Sequence, residues 1–220
     1  MAKDRRILLI NPNATEYVTE RMAVAVREEL GDGWYVEEMT NEGAPSIITD
    51  DAGLELATNL MVEAFDKGRD PLDGVIVAAF GDPALQELRA KLPVPVVGIA
   101  ESGMLEAAEY GNFAIVTPTP NLFDPINGLA ERYGVRDKLS VQLTTKTDAY
   151  VLMSQPEALV ETLRGMIDEV VARGDVNAVV IGGGPLADAA KTLAASNPPC
   201  PIVGPVPAAA RRIRNMIESA

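Results

Sequence analysis

The chain has 220 residues, with 32 Asp and Glu against 19 Lys and Arg for a formal net charge of −13, one cysteine and no histidine. Without histidine a Ser-His-Asp triad, a Cys-His dyad and a His-ligated metal are excluded; a lone cysteine excludes an intramolecular disulfide, a Cys-rich zinc site and a CxxC redox pair. The isoelectric point of about 4.5 argues against nucleic acid as a partner, because phosphate binding needs a basic face.

The first apolar run, Ile7-Leu8-Leu9-Ile10, follows Met1-Ala2-Lys3-Asp4-Arg5-Arg6 and stops at Asn11-Pro12-Asn13. It is too short for a signal-peptide core and has no small-residue cleavage site after it. No stretch approaches the roughly 18 apolar residues of a membrane span. The expectation is therefore a cytoplasmic enzyme or binding protein with no membrane partner. Further along, Val75–Ala79, Val94–Ala100, Phe113–Val116, Ala178–Ile181 and Ile202–Val206 repeat the pattern of a short apolar run closed by Gly, Pro or a polar residue. Continuous hydrophobicity of this length fits strands buried on both faces of a parallel sheet. Between the runs, Thr15–Leu30 places Val18, Met22, Val26 and Leu30 on one helical face. Asp51–Asp66, Asp82–Lys91 and Pro156–Arg173 read the same way. Alternating strands and helices predict an α/β fold.

An internal repeat sharpens this. Ile7–Asn13 resembles Phe113–Thr119, Val75–Gly81 resembles Val179–Pro185, and Pro95–Ala100 resembles Pro201–Val206. The three pairs occur in the same order and at nearly the same spacing. The expected architecture is two pseudo-symmetric α/β halves, each a mostly parallel sheet flanked by helices, residues 1–103 with 207–220 forming one and 104–206 the other. The C-terminal ends of both sheets then line one cleft, where open α/β sheets bind ligands.

Each loop lies where a strand ends and a helix begins, so backbone N–H groups and a helix dipole point into the cleft. The loops carry Asn11, Asn13, Thr15, Asp82, Ser102, Thr117 and Thr119 and no Lys or Arg. Such a set suits a small carboxylate or ureide held by directed hydrogen bonds, not a multiply charged phosphate; these residue types are also common helix N-caps. Gly182-Gly183-Gly184 lacks the GxGxxG spacing of a dinucleotide loop and opens the last unit rather than the first. Its glycines let the backbone approach a ligand or a neighbouring loop. No cofactor is expected, and no acidic cluster at the loops suits a metal ion.

Ile10-Asn11-Pro12-Asn13-Ala14-Thr15, Phe80-Gly81-Asp82-Pro83-Ala84-Leu85 and Val97-Gly98-Ile99-Ala100-Glu101-Ser102 resemble the signatures of hydantoin and allantoin racemases, in the aspartate/glutamate racemase superfamily. The likeness continues through Ile115-Val116-Thr117 and Ile181-Gly182. It implies two pseudo-symmetric α/β halves and a homo-oligomer. It also implies two catalytic cysteines, one from each half, which remove and return a proton on opposite faces of the substrate's α-carbon. The first of those positions is Ala79 here, and the second falls at Gly183, where Gly182-Gly183-Gly184-Pro185-Leu186 replaces the family's Gly-Cys-Ala-Gly-Met. Cys200, in Asn197-Pro198-Pro199-Cys200-Pro201, precedes a strand and belongs at the end of the sheet away from the cleft.

The proton-transfer candidates that remain are Asp82, Glu101 and Tyr150, with Tyr17, Asp124, Lys146 and Asp148 behind them. A carboxylate buried between apolar strands has a raised pKa and can act as a base. The expected ligand-binding set is Asn11, Asn13, Ala79, Phe80, Gly81, Ser102, Thr117, Thr119, Gly183 and Gly184. Three readings stay open. The first is a cofactor-independent enzyme acting on a small carboxylate or cyclic ureide by non-thiol hydrolysis, decarboxylation, elimination or isomerisation. The others are a binding protein that kept the cleft without the chemistry, and a racemase of residual activity.

Overall fold

In the computed structural model, which describes residues 5–66, 70–147 and 149–219, the chain forms two parallel four-stranded sheets flanked by helices. The first sheet contains β1 (Arg5–Asn11), β2 (Trp34–Thr40), β3 (Gly74–Val77) and β4 (Val96–Gly98) in the order β2-β1-β3-β4. The second contains β5 (Phe113–Thr117), β6 (Leu139–Thr144), β7 (Ala178–Ile181) and β8 (Ile202–Val203) in the order β6-β5-β7-β8. The two orders correspond strand for strand, so the sequence repeat is a repeat of architecture. The helices are α1 (Glu16–Leu30), α2 (Asp51–Asp66), α3 (Leu85–Lys91), α4 (Ile99–Glu109), α5 (Phe123–Arg132), α6 (Ala149–Met153), α7 (Pro156–Val171), α8 (Ala187–Ala194) and α9 (Pro205–Glu218). Residues 1–4, where the chain's first residues were read for a targeting signal, lie outside the described residues. Among the described residues no helix is long and apolar enough to cross a membrane.

The continuous apolar strands are covered on both faces, as their composition requires. In β1, Ile7 and Leu9 pack with α1 and α9, while Leu8 and Ile10 pack with α2 and α3. In β5, Phe113 and Ile115 face α4 and α5, and Ala114 and Val116 face α7 and α8. Two strands escaped the sequence reading, β2 and β6. Both are edge strands that are only partly buried along their length, so they lack the unbroken apolar signal of the central strands. Several boundaries also differ. Ile99 opens α4 rather than ending a strand, and Pro205 opens α9 at the first helical position, which suits a residue without an N–H. Helix α3 begins at Leu85, not Asp82, because Asp82 and Ala84 on either side of Pro83 hold left-handed backbone (φ 46° and 60°).

The halves exchange a helix. Helix α4 follows the first sheet, yet Ala100, Met104, Ala107 and Ala108 pack on Phe113, Ile115 and Val180 of the second. Helix α9 follows the second sheet, yet Val206, Ala209, Ala210 and Ile213 pack on Ile7, Leu9 and Ile76 of the first. The positions 103/104 and 206/207, expected to separate the halves, fall inside these two helices. Arg211 on α9 ties the exchange together, with a two-pronged ion pair to Glu106 of α4 (3.0 and 2.7 Å) and a third contact to Glu29 of α1 (2.7 Å).

Ile213 is fully buried and lies against Gly74 of β3. Ile213→Ala should cost about 2–5 kcal/mol in urea denaturation. Hydrogen exchange should accelerate first in β1 and β3, although Ile213 follows the second sheet in sequence.

Candidate functional site

The C-terminal ends of β3 and β7 place two loops face to face, Ala79-Phe80-Gly81 and Gly182-Gly183-Gly184, and these form opposite walls of a cleft. Asn13, from the loop after β1, and Thr119, from the loop after β5, supply its hydrogen-bonding side chains. The rest is hydrocarbon: Ile47 and Ile48, Leu54 on α2, Leu122, Met153 on α6, and Pro185. The cavity volume is about 40 Å³, enough for a few water molecules.

The second loop is built for close approach. At Gly184 a Cβ would lie 2.8 Å from the Ala78 carbonyl oxygen and 2.6 Å from the Met22 sulfur, so the backbone of one half rests directly on the other. Gly183 has φ +152°, a conformation that L side chains rarely adopt. Asn13 is 3% exposed, and its Oδ1 is buried without a hydrogen-bond partner. Its backbone N–H donates to Asn11 Oδ1 (3.0 Å). An unpaired buried acceptor costs about 1–3 kcal/mol, so this oxygen is the group in the cleft that most needs a donor.

Seven of the expected binding residues border the cleft: Asn13, Ala79, Phe80, Gly81, Thr119, Gly183 and Gly184. Three others stand behind it. Asn11 Nδ2 donates to Thr19 Oγ1 (3.0 Å) and to the Thr15 carbonyl (3.3 Å), bracing its own loop. The Thr117 and Thr119 hydroxyls bond to each other at 2.8 Å. Ser102 turns back to donate to the Gly98 carbonyl (2.7 Å) and faces the α4–α9 surface. Ile47, Ile48, Leu54, Leu122 and Met153 border the cleft without having been singled out by sequence; only Ile47 and Ile48 offered a signal, two apolar residues in polar surroundings in Ser46-Ile47-Ile48-Thr49.

None of the three acid-base candidates borders the cleft. Asp82 lies beneath the first loop with its carboxylate turned away, accepting from the N–H groups of Ala100 (2.9 Å) and Glu101 (2.7 Å) and the Tyr133 hydroxyl (2.6 Å). It occupies the space that a side chain at residue 98 would need; any Cβ on Gly98 would overlap its carboxyl group. Burial pushes the Asp82 carboxyl up to about 6, against the lowering effect of its three donors. Burial and the adjacent Asp82 charge push Tyr133 well above the ordinary phenol range. Glu101 is held two-pronged by Arg89 of α3 (3.1 and 2.6 Å), with Arg212 of α9 at 3.6 Å. Tyr150 on α6 is half-exposed at the rim, where its hydroxyl donates to the Ile47 carbonyl (3.3 Å) across the two halves. Tyr17, Asp124 and Lys146 are exposed, and Asp148 lies outside the described residues. Cys200 precedes β8, at the opposite end of the sheet from the cleft, and burial raises its thiol pKa. Among the described residues no group of three or more His, Cys, Asp or Glu is placed to hold a metal.

Residues 7–213 match the Asp/Glu/Hydantoin racemase family. The chain belongs to that family. This racemase-family chain is 26% identical over 215 residues to a hydantoin racemase of Paenarthrobacter aurescens, covering 96% of this chain and 91% of that protein. Its fold superposes on an allantoin racemase from Klebsiella pneumoniae with a TM-score of 0.91 at 25% identity, covering 98% of this chain and 88% of the other. An allantoin racemase from Pseudomonas fluorescens superposes with a TM-score of 0.90 at 23% identity, covering 97% and 91% of the two chains. This chain shares its two-sheet architecture with both solved structures.

The Asp82 carboxyl titrates near 6 when folded and near 3.8 when unfolded. The folded protein therefore holds a proton between about pH 4 and 6 that the unfolded chain has released. The stability this group contributes is full below about pH 4 and is lost as pH rises through 6, by up to about 3 kcal/mol. Carbon-detected NMR titration of the Asp82 carboxyl should show the elevated midpoint. Tyr133→Phe, which removes a donor to the charged form, should raise it further and cost about 1–3 kcal/mol of stability at pH 7.

Proposed function

We propose that this racemase-family protein binds a small cyclic ureide or amide between its two facing loops, without racemising it by thiol proton exchange. One observation carries the reading: among the described residues lining the cleft there is no thiol, imidazole, carboxylate or amine, and the Tyr150 phenol at its rim is bonded to the Ile47 carbonyl. Racemisation by two bases needs an acid and a base within reach of opposite faces of one carbon. The family resemblance assigns those positions to Ala79 and Gly183, neither of which can take a proton. The backbone at Gly183 disfavours a cysteine there as well. Asp82 and Glu101 serve as positioning residues, the first fixing the loop at 79–82 against α4 and the second fixing α3 to α4 through Arg89.

What the cleft offers instead is recognition. The buried Asn13 Oδ1 suits a ligand N–H, the glycine loops suit a flat ring at close range, and Thr119 stands by as a hydroxyl partner. With no cation bordering the cleft, a neutral ureide fits better than a carboxylate.

The test is incubation of the protein with hydantoin, substituted hydantoins and allantoin in deuterated water, with thermal shift and mass spectrometry on the same samples. The expected result is a raised Tm with the ligand recovered unchanged. Deuterium incorporation at the stereocentre above the protein-free control, or a mass gain of one water, would overturn the proposal. Asn13→Ala should weaken binding roughly tenfold, the value of about one hydrogen bond.

A further inference from the structure

We infer that the face formed by α4 and α9 pairs with the same face of a second copy of this chain across a two-fold axis. The two helices lie side by side and leave between them a groove of about 860 Å³ that shares no lining residue with the cleft. Leu105, Ile202 and Ala208 line it with hydrocarbon, and so do Tyr110 and Met216, which are 52% and 39% exposed. Large apolar side chains gathered in one exposed groove are what a protein–protein contact covers. Tyrosine, methionine and arginine are also the residue types that such contacts favour. Helices α4 and α9 are the exchanged pair, each packed on the other half's sheet, so a contact across them grips both halves at once.

The charges of the groove identify its occupant. Helix α4 supplies Glu106 and Glu109, and α9 supplies Arg211 and Arg212. Glu106 and Arg211 satisfy each other at 3.0 and 2.7 Å. The other two are left over. The Arg212 guanidinium donates no hydrogen bond among the described residues, and its Nε is buried without a partner. Its nearest acid, Glu101 at 3.6 Å, is already held two-pronged by Arg89. Glu109 is exposed at the end of α4 and forms no ion pair among the described residues. The face thus carries one unmatched acid and one unmatched base on different helices. In an isologous contact each residue meets its complement twice: Glu109 of one copy faces the partner's Arg212, and Arg212 faces the partner's Glu109. Two copies of net charge −13 repel each other at long range, and α9, with Arg211, Arg212 and Arg214 close together, is where that repulsion is locally relieved.

The test is sedimentation velocity of the full-length protein and its charge-reversal variants, with thermal melting of each to show that it is folded. The wild type should sediment as an even number of copies. Glu109→Arg and Arg212→Glu each set like charges opposite one another on both sides of the axis, so each alone should sediment at half the wild-type mass or less. An equal mixture of the two should recover the wild-type mass, because in the mixed pair both contacts again join opposite charges. Met216→Asp, at an exposed position in the same groove, should lower the mass as the single reversals do. If Arg212→Glu does not fold beside Glu101, Arg212→Gln takes its place, and its mixture with Glu109→Arg should associate at least about tenfold more tightly than Glu109→Arg alone. A wild type that stays monomeric overturns the inference. So does an assembly that survives Glu109→Arg and Met216→Asp, which forms through another face, and so does a mixture that recovers nothing.

Discussion

The Asp82 carboxylate is the constraint on which the cleft depends. It is buried, it sits where Gly98 has no side chain, and it collects two backbone N–H groups from the first turn of α4 and a hydroxyl from Tyr133 at the end of α5. Those donors come from two stretches of chain and the acceptor from a third, so one side chain fixes the loop after β3, the start of α4 and an element of the second half relative to one another. A charge placed at a helix N-terminus is favoured by the unpaired N–H groups there, whereas burial opposes it. The net result is a group whose best use is holding geometry. Ala79, Phe80 and Gly81 keep their place as one wall of the cleft because the residue after them is anchored in this way.

Much of this was legible in the sequence, for identifiable reasons. The central strands announced themselves because burial on both faces leaves only apolar side chains, and the duplicated motifs located the loops that face each other. Seven of the ten expected binding residues border the cleft because a loop's place at the end of a buried strand is a property of the chain's order. The direction of a side chain is a different matter. Asp82, in the loop after β3, and Ser102, in the first turn of α4, point away from the cleft toward Gly98 and its neighbours, and sequence order carries no record of that pairing. Leu54 and Met153 were invisible for the opposite reason: they reach the cleft from helices whose patterning is that of ordinary amphipathic segments. The edge strands β2 and β6 were missed because half-exposed strands mix polar and apolar residues without a distinct period.

Charge is distributed in the same spirit. The chain carries a net charge of −13, but no ionised side chain among the described residues borders the cleft. The acidic surface discourages anionic ligands from approaching. The interior of the cleft makes no charge-assisted contact that would compensate such a ligand for lost hydration. Both effects are consistent with the neutral ligand proposed above, one by approach and the other by fit.

The exchanged helices also bear on how such a molecule arises. Helix α4 belongs by connection to the first sheet and by packing to the second, and α9 does the reverse. If the chain were cut between α4 and β5, each piece would end in a helix that covers the other piece's sheet. A single ancestral half would thus have exposed an uncovered sheet face until it met a second copy, and the two together would have formed a swapped pair. Joining them into one chain removes the dependence on concentration without changing a contact. It also frees the two loops that meet across the centre to diverge separately, one ending in Ala79 and the other in a run of three glycines.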